Sequence, residues 1–242
     1  MTHFVLVHGA WHGAWCWSAT GEALTAAGHR FSAVQLPGDQ PGLGARAYAE
    51  AIAGAVEPAG SVVVGHSLAG LAIPLVPALA PVQALVYLAA MLPLPGCSWR
   101  DQVAASRPMT AWFTTRALPA QVQDGQGCTS WPADTARQLF FPDCAPAVAE
   151  AAIRQLRSQA PTPVTETTPV TGFPAVSSHY VGCRDDRAVS ATWAARAATE
   201  RLGVRPVWLG GSHSPFLSRP AELARLLATL TSATRRNTKV AS

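Results

Sequence analysis

Ser67 stands in Gly65-His66-Ser67-Leu68-Ala69, a G-x-S-x-G pattern with alanine in its last place, directly following three valines at positions 62–64. A β-branched run reads as a strand, and the small residues at 65 and 69 let neighbouring backbones approach. The pattern therefore predicts a sharp strand-to-helix turn that lifts the serine hydroxyl above a sheet edge. There the Leu68 N–H, at the helix start, would face the negative charge that develops when a hydroxyl attacks a carbonyl. A glycine-rich turn with a capping serine would use the same residue types. The strand before it and the apolar run after it favour the nucleophile reading.

A serine hydroxyl attacks poorly at neutral pH until a base takes its proton, so a histidine held in one tautomer must be nearby. Of seven histidines only His179 and His213 follow Ser67, and the order nucleophile, acid, base is the one such sheet-edge sites use. His179 falls inside a predicted core strand and reads as structural. His213, in Gly210-Gly211-Ser212-His213-Ser214-Pro215, lies on a loop after the last predicted strand. Asp185 and Asp186 both stand where an orienting carboxylate should follow the preceding strand, and the residues alone leave the two open. Asp134 and Asp143 read as surface charges.

The loop after the first predicted strand, His8-Gly9-Ala10-Trp11-His12-Gly13, offers a second backbone donor for an oxyanion, the N–H of Ala10. Losing one such donor typically costs about 3 kcal/mol of transition-state stabilisation. His8 and His12 read as braces of this loop, since no acid or thiolate stands at ligand spacing to make a metal site. Trp11 would edge the pocket.

Six short apolar runs, at residues 4–7, 31–35, 61–64, 82–89, 175–182 and 204–209, read as strands. Alanine-rich amphipathic stretches at 17–27, 44–56, 68–79, 189–202 and 220–231 read as helices, with Pro74 expected to kink or shorten the third. Such alternation predicts an α/β fold, a mostly parallel six-stranded sheet with helices on both faces. Residues 1–94 and 175–232 would form one core. The alternation fails at 95–174, where Trp99, Trp112, Phe113, Trp131, Phe140 and Phe141 stand without a clear strand, followed by a helix-like 147–157 and a Pro/Thr-rich run. An insertion of this kind between core strands is expected to be a lid.

With 49% hydrophobic and 13% charged residues, the 242-residue composition excludes a disordered or coiled-coil chain. Three of the four net positive charges come from Arg235, Arg236 and Lys239, so the body is nearly neutral and carries no nucleic-acid footprint. The end from 233 to 242 reads as a disordered basic tail. Residues 67–95 hold no charge, but Pro74, Pro77 and Pro81 break them into two core elements instead of a membrane span. Five cysteines without a C-x-x-C pair argue for reduced thiols, and the absence of a signal pattern makes a cytoplasmic location the expectation.

Taken together, residues 4–17, Gly65-His-Ser-Leu-Ala-Gly70, Leu85-Val-Tyr-Leu-Ala-Ala90, Cys183-Arg-Asp-Asp186 and Gly210-Gly-Ser-His213 resemble the plant methylesterase and hydroxynitrile lyase branch of the α/β-hydrolases, with its bacterial esterase relatives. The resemblance runs through nearly the whole chain and is weakest over 95–174. It implies an α/β-hydrolase fold, a triad of Ser67, Asp186 and His213, oxyanion donors at Ala10 and Leu68, and neither cofactor nor metal. The lyases of that branch carry a threonine and a lysine where this chain has Gly9 and Ser214, which disfavours cyanohydrin cleavage. Epoxide hydrolases and haloalkane dehalogenases would need an aspartate in place of Ser67.

The small-molecule substrate expected is a neutral, apolar, medium-sized carboxylic ester. Gly9, Trp11, His66 and Ser214, with Trp99, Trp112 and Trp131 from the insertion, are its candidate contacts. Two other functions fit the same residues: a cofactor-free lyase, cyclase or acyl-transfer enzyme, and a non-catalytic small-ligand binder.

Overall fold

The computed structural model describes residues 1–240, and side chains as far as Thr231. The apolar runs form strands β1 (His3–Val7), β2 (Arg30–Val34), β3 (Ser61–His66) and β4 (Val82–Leu88). A two-residue hairpin, β5 (Val122–Gln123) and β6 (Thr129–Ser130), precedes β7 (Ser178–Cys183) and β8 (Val207–Leu209). The six long-range strands make one parallel sheet in the order β2-β1-β3-β4-β7-β8.

Every residue of β1 and β3 is buried, as expected of parallel strands covered on both faces. Alternate residues serve opposite layers: Val5, Val7, Val63 and Leu85 join one core, while Phe4, Leu6, Val62 and Val86 join the other. Helices α1 (Ser18–Ala26), α2 (Ala45–Ala53), α3 (Trp99–Ser106), α4 (Ala133–Phe140), α5 (Pro146–Gln155), α6 (Thr162–Thr165), α7 (Ala191–Ala197), α8 (Pro215–Ser218) and α9 (Pro220–Val240) complete the chain. No described helix is long and apolar enough to cross a membrane.

Three expectations are corrected. Residues 68–79 form no α-helix but two 3-10 turns, Ser67–Leu71 and Ile73–Ala78. Pro74 and Pro77 lack the N–H that an α-helical ladder needs, and the tighter turns release those bonds. The strand expected over 204–209 is paired only from Val207, and that over 175–182 only from Ser178. The insertion has more regular structure than its composition suggested, with α3, α4, a π-turn at Phe113–Ala117 and the hairpin added to the expected helix. The expected basic tail lies, apart from the backbone of α9, outside the described residues.

From β1 the chain passes to β2 on one side and then returns to β3 on the other. Where order reverses, the loops leaving the carboxyl ends diverge and open a crevice. The loop at 8–13 and the turn at Ser67 flank that crevice.

Candidate active site

Ser67 follows the last residue of β3 and has φ +50°, the left-handed region that a serine seldom adopts. Strain of this kind persists only where the surroundings enforce it. Here the Met91 N–H donates to the Ser67 carbonyl at 2.9 Å, and Gly9 presses from the other side. A Cβ on Gly9 would come within 2.7 Å of His66 Nδ1 and 2.8 Å of Ser67 Cβ, so the close approach needs glycine.

His213 is buried, and its Nδ1–H donates to Asp186 Oδ2 at 2.9 Å. The other oxygen of Asp186 accepts from Ala188 N–H at 2.7 Å and Val189 N–H at 3.0 Å, which fixes the carboxylate. Asp185 points elsewhere: its Oδ2 accepts from Gly211 N–H at 3.3 Å. Between the two acids left open by the residues, the contact with His213 belongs to Asp186. With Nδ1 protonated, Nε2 of His213 is left as an acceptor. Ser67 and His213 line one cavity of about 330 Å³.

The loop at 8–13 is held by its own histidines. His8 Nδ1–H donates to the Gly9 carbonyl at 2.8 Å while Nε2 accepts from Leu36 N–H at 3.0 Å. In a trans peptide the carbonyl and the next N–H point opposite ways. The grip of His8 on the Gly9 oxygen therefore also sets the direction of the Ala10 N–H. His12 Nδ1–H holds the Ala10 carbonyl at 2.9 Å. Burial pushes His8 down to about 4 and His12 to about 3, hydrogen bonds to Gly9 and Ala10 opposing it only in part, so both are neutral braces. Trp11, at φ +63°, donates from Nε1 to the Thr129 carbonyl at 3.0 Å and so ties the loop to the insertion.

Ala10, Trp11, Leu68 and Trp99 line the cavity with Ser67 and His213. Other expected contacts do not. His66 is buried behind the turn, its Nε2–H donating to the His213 carbonyl at 2.9 Å, because the pleat of β3 turns it from the face Ser67 presents. Burial holds its pKa well below the usual range, with His213 and His12 adding to the effect. Gly9 packs on His66 and Ser67 instead of on the cavity. Ser214 is fully buried at the start of α8. Trp131 stacks edge-on to Trp11 at 5.1 Å, one layer behind the wall, and Trp112 lies under the Arg187 guanidinium at 5.3 Å.

Residues not named among the candidate contacts complete the wall: Met91, Val103, Met109, Phe113, Phe140 and Gln159, with Arg100 at the rim. Phe113 and Phe140 belonged to the aromatic cluster that was legible; Gln159 and the two methionines carried no local signal. Among the described residues, no group of three or more His, Cys, Asp and Glu side chains is placed to hold a metal ion.

An alpha/beta hydrolase family model matches residues 4–226. The chain belongs to that family. As an α/β-hydrolase it is 41% identical to a probable esterase of Oryza sativa subsp. indica over 107 residues, 39% of this chain and 41% of that one. The chain thus spans under half the length of that curated relative. It is 27% identical to a pyrethroid hydrolase of Sphingobium wenxiniae over 243 residues, 94% of this chain and 87% of the relative. Among solved structures, a pyrethroid hydrolase superposes with TM-score 0.76 at 25% identity, covering 96% of this chain and 98% of that one. Polyneuridine aldehyde esterase superposes with TM-score 0.78 at 21% identity, covering 96% and 99%, a likeness of fold.

Proposed function

We propose that this α/β-hydrolase cleaves small neutral carboxylic esters through an acyl-enzyme. Ser67 attacks the ester carbonyl, His213 Nε2 takes the hydroxyl proton and returns it to the departing alcohol, and Asp186 holds the imidazole. Water, activated by the same imidazole, then releases the acid. The N–H groups of Ala10 and Leu68 receive the oxyanion: Leu68 is the second residue of a 3-10 turn, where an N–H has no acceptor within the turn, and the Ala10 N–H is aimed by His8.

The observation that carries this reading is the Asp186-bound tautomer of His213, whose free nitrogen can accept a proton beside the cavity that Ser67 also lines. Relatives named as esterases and as a pyrethroid hydrolase support the ester over other carbonyl substrates. The apolar wall of Trp11, Met91, Trp99, Phe113 and Phe140 suits an uncharged acyl or alkyl group.

The test is a panel of p-nitrophenyl esters graded by acyl length, with a fluorophosphonate label mapped by peptide. The wild type should turn over short esters and carry the label on Ser67, and Ser67→Ala should lose both. An unlabelled Ser67, or a Ser67→Ala protein as fast as wild type, would remove the serine from the mechanism. A labelled Ser67 with no ester turned over would favour a lyase, cyclase or acyl-transfer reaction at the same site.

A further inference from the structure

Asp143, read from the sequence as a surface charge of the insertion, turns its carboxylate inward; 23% of the side chain is exposed. One oxygen accepts from the Ser212 N–H at 3.0 Å and the other accepts from the Ser212 hydroxyl. Arg219, at the start of α9, stands 3.8 Å from the same carboxylate. Ser212 is fully enclosed and immediately precedes His213. Gly211 has φ +90°, and a Cβ there would collide with the Asp143 carboxylate and Arg219, so the second glycine of Gly210-Gly211-Ser212-His213 makes room for this contact.

We propose that Asp143 is a positioning residue: a carboxylate from the insertion that latches the loop carrying His213 and sets where its imidazole stands relative to Ser67. The loop is gripped from two sides. Asp185, on the loop after β7, exchanges two hydrogen bonds with Gly211, its N–H to the Gly211 carbonyl at 3.0 Å and its Oδ2 from the Gly211 N–H at 3.3 Å. Asp143 supplies the opposite grip.

The insertion is sewn to the acid loop as well. The Thr110 N–H donates to the Ala188 carbonyl and the Ser190 N–H to the Pro108 carbonyl, both at 2.8 Å, beside a bridge between Met109 and Val189. Both loops that bring His213 and Asp186 together therefore rest on the insertion. It acts as a frame for the base in addition to covering the cavity. A shift of one residue in this frame moves the imidazole, and misplacement by about 1 Å costs roughly a hundredfold in rate.

The latch rests on the serine-esterase reading above, and the two fail separately: Ser67→Ala tests the reading, Asp143→Asn and Ser212→Ala test the latch. Asparagine keeps an oxygen for the Ser212 N–H but loses the charge and turns an NH₂ toward the Ser212 hydroxyl, which must then accept and give its own proton to the Phe140 carbonyl, so the charge-assisted contact is weakened with little change in volume. Each variant is measured for kcat and KM on p-nitrophenyl acetate, for the rate of fluorophosphonate labelling, and for Tm. The expected result is a fall in kcat and in labelling rate of about tenfold or more for Asp143→Asn, KM within twofold, with Ser212→Ala falling in the same direction.

Combined, the two substitutions should lower kcat no further than the worse single one, because they break one contact. Should Asp143→Asn fold poorly, Ser212→Ala alone, which deletes one hydroxyl, carries the test. A Tm loss with kcat and labelling rate unchanged below the transition, or two independent effects that multiply, would reduce Asp143 to a structural contact and overturn the proposal.

Discussion

Asp186 has both oxygens committed, one to two backbone N–H groups and one to His213. This arrangement makes asparagine at 186 a sharp probe. The N–H groups of Ala188 and Val189 demand an oxygen, so the amide must turn its NH₂ toward His213. The imidazole would then accept at Nδ1 and carry its proton on Nε2, the tautomer that cannot take a proton from Ser67. Asp186→Asn is expected to lower kcat by about 10³–10⁴-fold with Tm nearly unchanged, whereas Asp185→Asn, one position away, should cost far less. Equal losses in the two variants, measured on one ester, would contradict the assignment.

At this scale Ser67, His213 and the Asp185-Asp186 pair were legible because chemistry constrains residue type and chain order together. Asp143 was not, since a carboxylate in an irregular insertion looks the same in sequence whether it faces solvent or a loop 69 residues away. His66 misled for a geometric reason: adjacency to Ser67 places it on the opposite side of the strand.

Between elements, the turn after Ser67 is wedged against the end of β4. A Cβ on Gly70 would fall on the Met91 carbonyl and within 2.9 Å of the Ala90 Cβ, and the Met91 N–H is the donor that holds Ser67. Backbone cannot give way as a side chain can. Gly70→Ala should lower stability by about 1–3 kcal/mol, read as the urea midpoint, and lower kcat alongside, since the elbow and Met91 move together. A variant with wild-type midpoint and activity would show that the wedge is slack.

The strands were readable because buried parallel strands are continuous apolar runs. The helix expected at 68–79 was not, because hydrophobic content cannot distinguish an α-helix from successive 3-10 turns where prolines decide. Two insertion helices were missed although signals existed. Ser98 and Asp101 form a capping box that announces α3, and Ala136, Leu139 and Phe140 give α4 its buried face at helical spacing.

Across the molecule, one structural choice ties stability to acidity: the loop at 8–13 and the turn at Ser67 are braced by histidines that are buried and neutral. Burial lowers His8 to about 4, His12 to about 3 and His66 well below its ordinary value of 6.5. In the unfolded chain all three titrate near 6.5, so below that pH the unfolded state binds protons the native state refuses. Their contribution is complete above about 6.5 and is lost progressively as pH falls toward the folded values, at about 1.4 kcal/mol per pH unit for each histidine.

The Asp143 carboxyl, which burial raises but bonds from Ser212 outweigh and depress, adds a loss of the same sign at lower pH. The urea midpoint should therefore be flat from pH 8 to 7 and drop steeply between pH 6 and 4.5, with activity falling in the same window as unfolding lets the braces take up protons and the loop lets go. A midpoint that holds level down to pH 4.5 would mean that the imidazoles find solvent or a partner in the native state, and the loop would then have to owe its shape to packing alone.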